Sequence, residues 1–465
     1  MTGLTAAVGA FIAEVDSTRI PERGRRSIVN AITDLAGVTL LGRYADVTRI
    51  LLDQSSSRPA GEARIAFSER RAAAPDAALI GGASGHADDY DDIGLGFHPA
   101  HPSVPMAPAI LAEAEALGAS GRDVVTAYAV GYEVWGEIAS RDETAQHVKG
   151  WHPTSVFGAV AAAAACARLR RLDARRAASA VAIAASQASG IVANFGTMTK
   201  PFHAGHAARC GVMSARYAAA GMTAGDRALE HDCGLLNAVS PAGNVDRVRP
   251  VQLGRRWWLE EAGIGLKLYP MCYATHRAIE GLLALIDLHH IEPDAIASMT
   301  VKASSVHMIP LVHLAPRIAL DARFSIEFAL AAAAIARRVS LAETTDAFVQ
   351  RPDVQTMMRK VVRDFDAGPD AAVFAAEPDD SLTVVLSDGR VLERKLVAPR
   401  DRAADVKPTA IRSKFLDCAA ASGHAESDVA SLFEALQGIE RLERIADLPI
   451  VPWEPALRRV DEAAE

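Results

Sequence analysis

From residue 5 to about 240 the chain repeats one pattern: Ala-rich helical segments separated by short Gly-containing punctuation. Side chains this small let helices pack closely, so the stretch is expected to form a buried helical bundle. Val124 to Ser140 reads as an apolar helix opened by the turn at 119–123, with Asp123 as its N-cap. Ala174 to Ser189 reads as another, started after Asp173 and stopped by Gly190. His203 to Ala220 is a third, ended by Gly221. The chain has 465 residues, half of them apolar, enough for a large core and more than one domain.

The pattern changes near residue 265. His276 to His289 is still helical, but Ser298 to Ala303 reads as a strand. Ser381 to Ser387 and Arg390 to Val397 form a hairpin around an Asp388-Gly389 turn. Helices are expected between them at 322–338 and 341–350, and again after Pro399 at 408–421 and 425–446. This divides the chain into helical residues 1–265, a smaller α+β unit at 266–400, and helices at 401–465 that return to the first part. The expected fold class is mainly α.

A formal charge of −8 argues against a generic nucleic-acid or anionic-membrane surface. The longest apolar run, Val156 to Ala167, meets Arg168 to Arg171 well short of the roughly 20 residues a membrane span needs. Thr5 to Val15 is apolar, but Glu14 interrupts it and Arg19, Arg23, Arg25 and Arg26 follow, so it does not read as a secretion signal. The five cysteines form no C-x-x-C pair, which suits reduced thiols in the cytoplasm.

Lysine is scarce: of 49 basic residues only eight are Lys. Lys200 and Lys267 both lie among Gly, Pro and aromatic residues rather than on plain charged helix faces. An ammonium can hold a carboxylate as a point charge, so the pair suggests a pocket for a small polyanion. Lys200 sits in Met198-Thr-Lys-Pro-Phe-His-Ala-Gly-His206, where Pro201 marks a helix opening. A cation there opposes the helix dipole. His203 and His206 share a face and suit carboxylate binding, or a pair of metal ligands for which no third ligand follows. Lys267 sits in Lys267-Leu-Tyr-Pro-Met-Cys-Tyr-Ala-Thr-His276, at the seam between the two kinds of sequence, and seams favour ligand sites. Its Tyr269, Cys272 and His276 are candidate substrate-binding residues.

Two further clusters complete the set. Gly150-Trp-His-Pro-Thr-Ser155 places His152 at a helix start. His86-Ala-Asp-Asp-Tyr-Asp-Asp92, followed by His98-Pro-Ala-His-Pro-Ser103, crowds four carboxylates that repel one another. Asp88, Asp89 and Asp92 fit the D-D-x-x-D spacing of helical prenyl-transferring enzymes, which would bind Mg²⁺. No second acidic motif follows, and aromatic residues make up only 5% of the chain. The other reading has some Asp orient His and Lys while His101 works on substrate. There is no G-x-G-x-x-G after a strand, no Walker loop, no G-x-S-x-G and no H-E-x-x-H.

In this order the segments resemble the MmgE/PrpD family, which includes 2-methylcitrate dehydratase, cis-aconitate decarboxylase and iminodisuccinate epimerase. The matching stretches are 86–92 with 101–103, 131–134, 150–154, 196–211, 267–276 and Ala322-Arg-Phe-Ser325. The resemblance implies a large all-helical domain built from both chain ends, an inserted α+β lid domain, a cofactor-independent enzyme and usually a homodimer. Carried over residue by residue, it places Asp89, His101, His152, Lys200 and Lys267 in the pocket as catalytic residues, with His276 in the same motif as Lys267 and no metal. Ile93 stands where the decarboxylases carry Thr, and Phe328 where many members carry Tyr. Both changes argue against cis-aconitate decarboxylation in particular. The Asn194 to Pro201 run looks more like the epimerase branch.

The expected activity is that of a lyase or isomerase acting next to a carboxylate of a small polycarboxylate: dehydration, decarboxylation or epimerisation. Lys200 and Lys267 would stabilise the charge that develops. His101 and His152 would serve as base and acid, and Asp89 would orient a neighbour. The contrasting expectation is a catalytically silent carboxylate-binding protein of the same fold.

Overall fold

The computed structural model describes residues 3–55, 61–96, 100–366, 380–397 and 402–454. The fold is mainly α. Helices α1 (Leu4–Glu14), α2 (Glu22–Gly42), α3 (Ala74–His86), α4 (Ser103–Leu117), α5 (Gly121–Ala139), α6 (Pro153–Leu169), α7 (Ala174–Ala185) and α8 (Thr199–Ala219) fill the first half. They share one hydrophobic core, which also takes α11 (Pro408–Ala421) and α12 (Glu426–Gln437) from the far end of the chain.

Small residues set this packing. A Cβ added to Gly205 on α8 would lie 2.2 Å from the Leu79 carbonyl on α3. One on Gly82 would lie 2.8 Å from the Gly205 Cα, so the α3 and α8 backbones touch where they cross. That crossing brings the C-terminal end of α3, with His86, to the first turn of α8, with Lys200.

A second core gathers Val192, Phe195 and residues from Met271 to Leu396. It holds α9 (Tyr273–His289), α10 (Ile326–Ala336) and a four-stranded sheet. Two short strands, β1 (Ile93–Gly94) and β2 (Ile264–Gly265), pair outside that sheet. The sheet strands are β3 (Ile296–Ser304), β4 (Val361–Asp366), β5 (Ser381–Leu386) and β6 (Val391–Lys395), in the order β4-β3-β5-β6. β3 runs parallel to β4 and antiparallel to β5. The β5–β6 hairpin closes through Asp388-Gly389, and Gly389 takes φ +89° as such a turn requires.

The structure corrects several sequence readings. The N-cap of α5 is Ser120; Asp123 is its reciprocal partner in a capping box. α7 ends at Ala185, four residues early, where Ser186 takes over as C-cap. Only Asp346–Val349 is helical within 341–350, because Thr345 accepts from the Phe348 N–H and starts the helix late. The 322–338 helix is two pieces, Ala319–Ala322 and α10, and the last helix stops at Gln437. Strand β4 was not anticipated. Among the described residues no helix is long and apolar enough to cross a membrane.

Candidate active site

The acidic run lies between α3 and β1, immediately after the C-terminal end of α3. Asp89 takes φ +51°, a left-handed conformation that a non-glycine residue adopts only when its surroundings enforce it. The turn aims the four carboxylates at different partners. Asp88 pairs with Arg323 at 2.6 Å. Asp92 accepts from the backbone N–H of Ser103 at 3.2 Å and from its hydroxyl. Asp88, Asp89 and Asp92 therefore do not converge on one point, and the D-D-x-x-D reading fails on geometry.

Asp89 joins the two lysines. Lys200 Nζ donates to Oδ1, and Lys267 Nζ donates to Oδ2 at 2.9 Å and to the Asp89 carbonyl at 2.7 Å. Residues 111 and 178 positions away in sequence thus meet on one buried carboxylate. Burial would raise the Asp89 carboxyl, but Lys200 and then Lys267 overcome it and hold it well below the usual range.

Asp91 plays the matching part for two imidazoles. Its Oδ1 is 2.9 Å from His86 Nδ1, and Lys200 Nζ is 2.9 Å from His86 Nε2. Lysine only donates, so Nε2 accepts and Nδ1 carries the proton toward Asp91. The buried His86 is held down to about 4 by desolvation, against the pull of Asp91. His101 Nδ1 donates to the Asp92 carbonyl at 2.8 Å. Asp91 Oδ2 lies 3.0 Å from that nitrogen but off the bond axis, and contributes charge rather than a hydrogen bond. His101 Nε2 is left facing Asp89 Oδ1 at 4.0 Å.

His152 caps α6 in extended backbone, and its Nδ1 is 3.2 Å from His203 Nδ1. One ring must donate and the other accept, so each sets the other's tautomer. Burial, followed by the Lys200 charge, lowers both rings, His203 to about 4 and His152 well below its ordinary value. The His152 ring lies 5.9 Å from His86 and 4.8 Å from Phe195. The next residue but one on α6, Thr154, accepts from the His101 N–H at 3.0 Å and ties the two motifs together.

The remaining candidates divide. Cys272 is buried at the N-cap of α9, and burial, then Asp89, pushes its thiol up to about 11. It stays protonated near neutral pH. Tyr269 gives its hydroxyl to Glu280, and its ring stands 5.0 Å from His276. His276 is fully buried against the Met271 carbonyl at 3.3 Å. His206 turns to Cys210 and Phe202 rather than joining His203, so those two histidines do not converge. His98 and Pro99 lie outside the described residues. Sequence reasoning missed His86 and Asp91 as individual groups; the signal available was only their place in the motif.

The ligand atoms of His86, Asp89 and His101 fall within 4.8 Å of one another, a spacing suited to a metal ion. The Lys200 ammonium already bonds to both His86 and Asp89. An ammonium bonded to two of the three groups competes with a metal ion for the same ligand atoms.

This geometry is carried by motifs that match two family models. The MmgE/PrpD N-terminal domain covers residues 6–247 and the MmgE/PrpD C-terminal domain covers residues 269–437. The chain belongs to the MmgE/PrpD family. Among its MmgE/PrpD relatives is the cis-aconitate decarboxylase of Homo sapiens, 28% identical over 385 residues, covering 80% of this chain and 77% of that one. Two enzymes of the same name from Aspergillus terreus are 27% identical over 396 residues and 26% identical over 490. They cover 77% and 96% of this chain, and 78% and 95% of their own lengths. Relatives of this kind support a lyase of the MmgE/PrpD type.

Proposed function

We propose that the protein is a cofactor-independent lyase or isomerase acting at the carbon next to a carboxylate of a small polycarboxylate. The observation that carries this reading is the bridging of Lys200 and Lys267 by Asp89, with His101 Nε2 4.0 Å from the same carboxylate. Each ammonium has three N–H groups. Among the described residues Lys200 spends two on Asp89 and His86, and Lys267 spends two on the carboxylate and carbonyl of Asp89. One from each remains for a substrate carboxylate.

Removing a proton from the adjacent carbon builds negative charge on that carboxylate. Two fixed, buried ammoniums stabilise this charge more than they stabilise the ground state. His101 and His152 divide the proton-transfer roles, with His101 held by the Asp92 carbonyl and His152 by His203. Loss of water, loss of CO₂ and inversion of a stereocentre all pass through such an enolate-like state. Ile93 is buried in β1, and Phe328 packs in the second core near Phe348, so neither position offers a hydroxyl. That supports a reaction other than cis-aconitate decarboxylation. On this reading the α+β unit at 266–400 closes over the substrate as a lid, and the enzyme works as a homodimer in the cytoplasm, where its unpaired thiols stay reduced.

The test has two parts. A panel of di- and tricarboxylates in D₂O, followed by NMR, should show solvent exchange or product for one of them. Lys200→Ala and His152→Ala should each abolish it with the far-UV circular dichroism unchanged. Thermal stabilisation by a polycarboxylate with no exchange or product would leave a binding protein instead.

A further inference from the structure

Two successive carbonyls of the acidic turn are each held by a lysine from a distant part of the chain. Lys267 Nζ donates to the Asp89 carbonyl at 2.7 Å, and Lys414 Nζ donates to the Tyr90 carbonyl at 2.8 Å. Lys267 belongs to the site already described. Lys414 does not: it lies on α11, one of the helices returned from the C-terminal part of the chain.

Lys414 is fixed in turn. Its ammonium lies 2.8 Å from Asp34 on α2, and 4.0 Å over the Tyr90 ring. The Tyr90 hydroxyl donates to the Leu268 carbonyl at 3.3 Å, one residue past Lys267. The residue between Asp89 and Asp91 is therefore gripped from α11, through a lysine that Asp34 of α2 holds, and from the segment that carries Lys267. A Lys–Asp pair that only fastened α11 to α2 would have no need of the Tyr90 carbonyl or ring.

The turn has reason to need such a grip. Asp89 sits at φ +51°, a backbone conformation that a non-glycine residue keeps only when its surroundings enforce it. If the turn relaxed, Asp89 would leave the two lysines and Asp91 would leave His86 together, since one residue separates them. We propose that Lys414, paired with Asp34, is a positioning residue. It holds the Asp89-Tyr90-Asp91 turn in its left-handed form and so fixes the two ammoniums and His86 at once. This rests on the reading of the site as catalytic.

Lys414→Met tests it. The expected result is a fall in kcat of about tenfold to a hundredfold, the size expected when reacting groups shift by ångströms, with KM changed far less. In ¹⁵N-histidine NMR of the full chain, the His86 resonances should lose their single Nδ1–H tautomer. Should Lys414→Met not fold, the double variant Asp34→Asn/Lys414→Met leaves no unpaired buried charge and no donor to the Tyr90 carbonyl, and the same two results are expected of it. Unchanged kcat, or His86 resonances identical to wild type, in a folded variant overturns the proposal. A wild type that turns over no polycarboxylate would sink the catalytic reading alone, and the imidazole resonances would still decide the role of Lys414.

Discussion

Lys267 holds Asp89 at two points, donating to its carboxylate at 2.9 Å and to its main-chain carbonyl at 2.7 Å. The lysine thus fixes the backbone of the residue whose charge balances it. Lys200 takes the other carboxylate oxygen, so one negative charge separates two buried positive ones. Asp89→Asn removes that charge and leaves the ammoniums facing each other. The expected cost is about 3–5 kcal/mol of folding stability, as for other broken buried pairs, together with loss of turnover. A tricarboxylate such as citrate should raise the Tm of the variant more than that of the wild type, because it supplies the missing counter-charge. Equal Tm values for the two proteins without citrate would contradict the bridging role.

Asp91 makes a separable prediction. Its bond to His86 Nδ1 at 2.9 Å selects the tautomer whose Nε2 accepts from Lys200. Asp91→Asn keeps the shape but removes the charge, and its amide can turn its NH₂ toward the ring. The wrong tautomer then presents an N–H to the Lys200 ammonium. An orienting carboxylate of this kind is worth roughly 10²- to 10⁴-fold in rate. The expected outcome is a drop of that order in kcat with a wild-type circular dichroism spectrum. A variant within twofold of wild type would show that His86 needs no orienting carboxylate.

How much of this was legible in the sequence depends on the kind of signal. Gly and Pro punctuation and Asp173 marked helix starts well, and α11 was read at its observed limits. Lys200, Lys267, His101 and His152 stand out in the sequence because scarce or awkward residue types sit in Gly- and Pro-rich settings. Which carboxylate meets which partner was not legible. It depends on Asp89 adopting left-handed backbone, and an Asp does not announce that as a Gly would. His86 is hidden for a related reason: at the end of α3 it reads as a helix terminus, and its partner Lys200 is 114 residues away. Strand β4 escaped because it pairs in parallel with β3, 62 residues earlier at Met299–Val361, with no hairpin turn to flag it.

Metal dependence has a definite expectation. His86, Asp89 and His101 have the spacing of a metal site, but the Lys200 ammonium is bonded to two of the three. Dialysis against EDTA should leave the rate within experimental error of the untreated enzyme, and added Mg²⁺ should not raise it. Loss of activity in EDTA that Mg²⁺ restores would return the acidic run to the role of a metal ligand set.

Stability should peak near pH 6.5. Burial holds His86 and His203 down to about 4 and His276 down to about 3, and lowers His152 as well. In the unfolded chain these four imidazoles titrate near the ordinary 6.5. Between pH 6.5 and about 4 the unfolded state therefore binds more of their protons, and their contribution to stability, complete above pH 6.5, is lost as the pH falls. Burial acts oppositely on two carboxyls: Asp92 and Glu133 are both raised to about 8. They hold protons in the folded state that the unfolded chain releases near pH 4. Their contribution is complete below that pH and is lost as the pH rises through about 8. Burial lowers His206 and raises Asp34 in the same two senses, so below pH 6.5 the more numerous imidazoles outweigh the carboxyls and above it the carboxyls act. Tm measured from pH 4.5 to 8.5 should rise to a maximum near 6.5 and then decline. A Tm that climbs steadily to pH 8.5 would mean that Asp92 and Glu133 are ionised in the folded protein.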